Sequence, residues 1–544
     1  MAAAAQELTF TSGIIFVNED RYGANQGSIN FYDHDYDEMY YNVFALVNPG
    51  LKLGVTSQHA QLFGERLYVV SKQANSNEST GSTIGSRLAV LDASTLRQQS
   101  SMLRFSASRD SVYDGRAYCA VNNVKGYVST SAGIFVIDVP SMTATGPIDG
   151  TQSSARGDYN SLYYDQCGDM VRLGQYVFAV QQGKGLHVID PAIDAVVATL
   201  PFPDIVTLFV TAAGNLYVAN NSREVYDFGT GPYNADFTQV DPVTFDILAV
   251  HHLDGDKGMV STWGAWHACM ACVDPVAEKL YFSHEEYQNF ISCYDFETSQ
   301  LTDTLILLPD AAEINWDGSR NRQGLYASAL SFDPHTGALV VQTTEAAPMY
   351  AYEIFNHNWV LFYDAKTATL RKQIRLQDAY WFPAIAVYPD CCEPTVAIDD
   401  MTIAAGTHAV VNLLEAVSDK DNPSALAVTT AVSGNPDVAC VSVSGLNLIV
   451  NALASGRTTI TVTADSNGRL ATTTFAVTVT AVSTPGDVNM DGEVSINDVT
   501  DLISVLLGSV LANYDPVAAD VDRDGEISII DVTSLLNYLL RGEF

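Results

Sequence analysis

Two twelve-residue stretches near the C-terminus carry the side chains with the most specific chemistry. The first presents Asp487, Asn489, Asp491, Gly492, Glu493, Ser495 and Asp498. The second presents Asp520, Asp522, Asp524, Gly525, Glu526, Ser528 and Asp531. In each, oxygen-bearing side chains stand at positions 1, 3 and 5, and a glycine at 6 makes the sharp turn. Position 7 (Glu493, Glu526) gives its main-chain carbonyl, position 9 (Ser495, Ser528) acts through water, and position 12 (Asp498, Asp531) closes the shell with a carboxylate. That spacing wraps a hard cation in oxygen, and calcium is the ion it suits. A merely solvated acidic tail does not produce two identically spaced loops 33 residues apart. Residues 486–544 hold 12 acids against 2 bases, a net of −10, and ligation of two cations accounts for that concentration.

Each loop runs into a segment with apolar residues at helical spacing. These are Val499, Leu502, Ile503, Leu506 and Leu507 after the first, and Val532, Leu535, Leu536, Leu539 and Leu540 after the second. An EF-hand carries glutamate at position 12, and aspartate there is the dockerin variant. Residues 484–544 resemble a type I dockerin over their whole length. The resemblance implies two calcium ions and a cohesin-like or other surface protein as partner. Loop positions 10 and 11, the usual contact pair, are Ile496-Asn497 and Ile529-Ile530 rather than hydroxyl residues.

The other candidates for chemistry are weaker. Cys269 and Cys272 form a CxxC beside His267, which suits zinc. The surrounding Ala268–Pro275 reads as a strand, and residues three apart on a strand point to opposite faces, so buried thiols are the expectation. Cys391 and Cys392 are adjacent and have no evident partner. No HExxH, GxSxG or phosphate-binding loop occurs, and no enzyme activity is expected.

These sites have to be positioned by a largely β chain. Seven units with a period near fifty recur over residues 12–390, which signals a propeller. Each carries a strand ending in aspartate and a tight turn: Phe31–Asp33, Val90–Asp92, Val136–Asp138, Val188–Asp190, Gln239–Asp241, Cys293–Asp295 and Phe362–Asp364. The aspartate side chain is expected to accept backbone N–H groups of its turn. Gly13–Val17 lacks a leading strand and Phe382–Tyr388 is one with nothing after it. The expected fold is therefore a seven-bladed β-propeller closed by joining its two ends, which protects the sheet edges. Residues 393–481 read as a small β-sandwich with a closing hairpin at Asn467-Gly468. They resemble bacterial immunoglobulin-like or cadherin-like spacers. Asp419 and Asp421 are read there as solvated loop acids.

The short hairpins and aspartate turns fall on one face of the propeller and the long loops on the other. Those long loops hold Tyr22, Trp263, Trp266, Tyr380 and Trp381 among twelve aromatic residues, with Asn18, Glu19, Gln58, His59 and His267 as polar neighbours. They read as a recognition surface for a small molecule or a glycan.

Composition narrows the partners. The chain has 27 basic against 63 acidic residues, a net charge of −36, which repels nucleic acid and anionic lipid. No apolar run approaches the roughly 18–20 residues of a membrane span. Met1–Ala5 resembles the small-residue remnant beside a cleavage site, so a secreted or outer-surface location is expected.

Finally, Gly13–Glu19, Gly27–Asp33, Gln61–Val69 and Trp381–Asp390 resemble the surface propellers of Bacteroides-type gut bacteria. The best-known members of that family capture cobalamin. The resemblance covers about residues 12–390 and implies a non-enzymatic binding protein with a corrinoid as ligand. A dockerin-tailed component that binds or degrades polysaccharide is the alternative, and a protein-binding scaffold a third.

Overall fold

The computed structural model describes residues 8–21, 25–75, 85–106, 113–154, 164–221, 235–253, 257–259, 263, 270–284, 288–314, 320–346 and 355–542. Among them, residues 13–387 form seven antiparallel sheets, all but the first a meander of sequential strands. Six have four strands, and the seventh gains a fifth, Asp310–Ile314, on the edge of its long leading strand Arg320–Asp333. The sequence pattern gave no sign of that added strand. The first sheet is composite: the late strand Pro383–Val387 pairs with Gly13–Asn18, Ile15 opposite Val387 and Val17 opposite Ile385. The arrangement is propeller-like.

Burial follows strand position within a sheet. Gly13–Asn18 and Ser28–Asp33 are covered on both faces, whereas a fourth strand such as Gln300–Leu307 alternates exposed and half-buried residues. A sheet packed between two neighbours needs apolar residues on both sides of its middle strands, and only its outer strand meets water. The alternation is visible in single strands. Ile15 and Val17 pack with Leu67, Val69 and Ala89 of the second sheet. Ile14 and Phe16 face the other way, onto Val340, Val360 and Phe362 of the seventh.

The aspartate turns form as expected. Asp92 Oδ1 accepts the backbone N–H groups of Ser94 and Thr95, and Asp364 Oδ1 those of Lys366 and Thr367. The Arg371 hydrogen bond, then that turn's N–H groups, hold the Asp364 carboxyl down at about 2.

After Asp390 a second β unit begins. Met401–Ala404, Arg469–Thr480, Gly456–Ser466 and Val428–Ser433 form one sheet, and His408–Asn412, Asn447–Ala452 and Ala439–Ser444 another. Ile460, Val462, Phe475 and Val477 of the first bury against Leu448 and Val450 of the second. The predicted hairpin is present, with Ser466 opposite Arg469 and positive φ at Asn467 and Gly468.

This unit sits on the short-turn face of the propeller. Gly64 N–H donates to the Asn467 carbonyl at 2.6 Å, and Ala425 is fully buried in an apolar cluster with Leu173, Leu216 and Val240. Arg469 crosses the junction to the Asp390 carboxylate and carbonyl. Asp421 is not a solvated loop acid. It accepts the backbone N–H groups of Cys391 and Cys392 and lies 3.2 Å from His335 of the propeller. Helices Ile496–Leu506 and Ile529–Arg541 follow, and among the described residues no helix is long and apolar enough to cross a membrane.

The hairpin contact is testable. A Cβ at Gly468 would meet the Gly64 nitrogen at 2.5 Å, and φ there is +86°. The backbone conformation alone costs a non-glycine residue about 1–2 kcal/mol. Gly406, in the same unit with φ +79° and open space around it, isolates that conformational part. Gly468→Ala is expected to lower the melting temperature more than Gly406→Ala. Equal shifts would show that the hairpin does not bear on the propeller.

Candidate functional site

The C-terminal loops fold so that each cation shell is assembled by backbone hydrogen bonds. Asp498, fully buried, accepts from Val488 N and Asn489 N through Oδ1 and from Ser495 N through Oδ2. It thereby ties the start of the loop to the start of the helix. Asp487 accepts from Asp491 N and Gly492 N, Asn489 from Asp491 N, and Asp491 from Glu493 N. The second loop repeats the pattern: Asp531 takes Val521 N, Asp522 N and Ser528 N, and Asp520 takes Asp524 N and Gly525 N. Asp522 and Asp524 accept from Asp524 N and Glu526 N in turn.

Carboxylate oxygens of Asp487, Asp491 and Asp498 lie within 4.8 Å of one another, as do those of Asp520, Asp522 and Asp531. Desolvation, then the neighbouring carboxylates Asp524, Asp531 and Asp520, raise the Asp522 carboxyl above its ordinary value. Such mutual repulsion is what a bound divalent cation relieves, so the residues fit calcium. Glu493 and Glu526 have exposed side chains, in keeping with a main-chain role. Ser495 and Ser528 cap the helices, their Oγ atoms accepting from Asn497 N and Ile530 N. In loop one, Asn489 Nδ2 donates to Asp501, which aims the amide.

Not all of the predicted helical stripe is core. Val499, Leu502, Val532 and Leu535 are buried with Val488 and Val521, while Ile503, Leu506, Leu507, Leu536 and Leu540 are exposed. With Ile496, Ile529 and Ile530 they leave the module an apolar exterior, as a docking module requires.

In the propeller, the leading strands of the seven sheets line a central channel of 610 Å³. Gln58, His59, Arg116, Asp169 and Thr207 bring polar groups to it, and Asp421–Pro423 and Asn467 stand at its short-turn end. The predicted polar set partly converges here. Gln58 Nε2 donates to Glu19 Oε2 at 2.7 Å, and Tyr326 OH donates to Glu19 Oε1 at 3.3 Å. His59 Nε2 donates to the Tyr118 carbonyl, and burial pushes its pKa down. Asn18 is fully buried and donates to Ser28 Oγ inside the first sheet, which corrects its reading as a polar group of the long-loop surface.

The aromatic residues mostly do other work. Trp263 is buried in an apolar cluster and donates Nε1–H to the Ile205 carbonyl, which corrects its reading as a recognition ring. Trp381 stacks on Tyr41 and donates to the Gln377 carbonyl, and Tyr380 lies under the Arg21 guanidinium. Tyr22, Trp266, His267 and Cys269 lie outside the described residues, as do Tyr159, Tyr163, Tyr287, Tyr350 and Tyr352, five more of the twelve long-loop aromatic residues.

Sequence reasoning missed Lys72, Asp114, Arg116 and Asp169. The signal was faint: isolated charges in or beside largely apolar strands such as Arg66–Gln73 and Gly115–Asn122. Burial, then Arg116, pushes Lys72 down to about 7 against the pull of Glu19 and Asp114. Burial raises Asp114, with Lys72, Arg87 and Arg116 opposing.

A propeller-like domain on a β unit with a paired calcium-loop module is thus the class this architecture defines. Residues 12–389 match the family described as a domain of unknown function (DUF5074), well over half the chain, and the chain belongs to that family. Residues 485–540 match the type I dockerin domain. Among solved structures, a quinonprotein alcohol dehydrogenase-like protein from Bacteroides thetaiotaomicron is similar at 16% identity, covering 70% of this chain and 79% of that one, with a TM-score of 0.46. The β-propeller domain of Cps50 (Swd1) from Myceliophteria thermophila is similar at 12% identity over 63% and 96% of the two chains, with a TM-score of 0.37. No curated protein matches.

Loop two has four side-chain carboxylates (Asp520, Asp522, Asp524, Asp531) where loop one has three and an amide. Metal binding and folding are coupled in such modules. Asp531→Ala is therefore expected to cost more calcium-induced helicity than Asp498→Ala, and each should cost about 3 kcal/mol or more. Calcium titration followed by circular dichroism measures both, and helicity indifferent to chelator would refute the ligation.

The depressed Lys72 makes a separate expectation. Above pH 7 the unfolded chain, whose lysine titrates at about 10.4, binds more protons than the folded one. Stability should therefore rise with pH from about 7 towards about 10, and the cost is fully present below 7. Melting curves across that window should climb more steeply for the native protein than for Lys72→Met. Parallel curves would place the charge elsewhere.

Proposed function

We propose that this protein is an extracellular, non-enzymatic binding protein. In this reading the seven sheets are the blades of one closed seven-bladed propeller. Residues 393–481 form an immunoglobulin-like spacer, and residues 484–544 attach the molecule to a cohesin-like partner when calcium is bound. The long-loop face of the propeller captures a small ligand, and a corrinoid is the class proposed.

One observation carries the reading: the β unit occupies the short-turn face of the propeller. The β unit sits on the short turns through Asn467, Ala425 and Asp421. The long-loop mouth beside Glu19 and Gln58 is the end left to a ligand. Ligand sites of this kind are concave, with a few placed polar groups among apolar walls. The channel supports that, with Gln58, Arg116 and Asp169 among Ala60, Leu208 and Ile385. A corrinoid is flat and partly apolar with amide arms at its rim. Lying across the mouth, it would present those arms to the Gln58 amide and the Glu19 carboxylate. The dockerin domain favours a second reading, attachment of a glycan-binding component.

Calorimetry against cyanocobalamin and a panel of oligosaccharides distinguishes the two. Gln58→Ala is expected to weaken corrinoid binding at least about tenfold, the effect of losing roughly 1.4 kcal/mol from a central contact. Lys366→Ala, on an exposed aspartate turn, should leave it unchanged. No heat with any corrinoid, together with clear binding of a glycan, would replace the first reading with the second.

A further inference from the structure

Where the linker leaves the propeller, three separate parts of the chain bring metal-ligating atoms together. His335 comes from a propeller hairpin, Cys391 and Cys392 from the linker, and Asp421 from the β unit. One donor atom from each of His335, Cys391 and Asp421 lies within 4.8 Å of the others. Cys391 Sγ is 3.7 Å from Cys392 Sγ and 3.8 Å from Asp421 Oδ1, and His335 Nδ1 is 3.2 Å from that same oxygen.

The His335, Cys391 and Asp421 donor atoms make one face of a small tetrahedron. Zinc takes bonds of about 2.3 Å to sulfur and about 2.0–2.1 Å to nitrogen or oxygen. The same bonds set sulfur and oxygen about 3.6 Å apart, and nitrogen and oxygen about 3.3 Å apart. The supporting contacts match a ligand role as well. His335 Nε2 lies 3.2 Å from the Pro389 carbonyl, an acceptor only, so Nε2 carries a proton there. In the neutral ring this turns the Nδ1 lone pair onto the Asp421 carboxylate, an arrangement that a cation held between them satisfies. Zinc-bound histidines are fixed by this same N–H to carbonyl bond. On Asp421, Oδ2 is taken by the Cys391 and Cys392 N–H groups, which leaves Oδ1 aimed at His335 and the thiol. Cys391 is exposed and gives the ion a way in.

We propose that His335, Cys391 and Asp421 hold a zinc ion, with water as the fourth ligand, in a tetrahedral site that locks the β unit onto the propeller. Binding is an exchange: zinc enters and the Cys391 thiol releases its proton to solvent. The site is independent of the calcium loops, whose all-oxygen shells suit a harder ion.

The reduced full chain, saturated with calcium, tests this with cobalt(II) as a spectroscopic stand-in. Expected are a thiolate-to-cobalt charge-transfer band and tetrahedral d–d bands at one equivalent, displaced by zinc. The charge-transfer band should be lost in the Cys391→Ser/Cys392→Ser double variant, and zinc should raise the melting temperature of the native protein but not of that variant. Because Cys391 is exposed, the double variant is expected to fold, and His335→Ala then checks the nitrogen ligand. Absence of the band would overturn the proposal, leaving an imidazolium–carboxylate pair or a Cys391–Cys392 disulfide. Persistence of the band in the double variant would also overturn it, by assigning the metal to other thiols.

Discussion

The structure depends above all on burial of apolar side chains between neighbouring sheets. Every described interval between consecutive sheets has its own cluster: Tyr68 and Val70 with Tyr118 and Val128, Val218 and Leu216 with Val180 and Val188, Leu280 and Phe282 with Phe237 and Ala219. The last cluster joins the seventh sheet to the first through Val340, Phe362, Ile14 and Phe16. Each middle strand serves two clusters because its side chains alternate. The channel, its polar lining and the junction below it are consequences of that arrangement.

Much of this was legible because it is periodic. The aspartate turns at Asp92 and Asp364 could be read from a residue type with a geometric role, and so could the Asn467-Gly468 hairpin. The calcium loops were legible for the same reason: oxygen donors at fixed offsets serve one atom, so spacing and chemistry coincide. The unpaired opening strand and the surplus closing strand pointed to each other, and the pairing of Ile15 with Val387 joins them.

What stayed hidden depends on contacts between distant segments. Trp263 sits in a loop by sequence, yet its ring fills space between two sheets and its N–H answers the Ile205 carbonyl. Lys72 and Asp114 are ordinary charges in a sequence and face each other only once the second and third sheets pack. The docking of the β unit on the short turns rests on surface complementarity at Gly64, Ala425 and Asp421, and shape has no period. Asp421 shows the difference best: a loop acid by sequence, it gathers two backbone N–H groups and a histidine from the other domain.

The composite first sheet bears on how the chain is made. Its strand Pro383–Val387 emerges from the ribosome long after its partner Gly13–Asn18. Until then one edge of the opening strand presents a bare row of N–H and carbonyl groups, and the seventh-sheet residues that cover Ile14 and Phe16 also come late. An unpaired apolar edge of this kind is a template for wrong pairings. The propeller therefore cannot close until nearly its whole length has been made. Six sheets can assemble, but the seam waits for residue 387. The risk of misassembly is concentrated in that interval, at one identifiable edge.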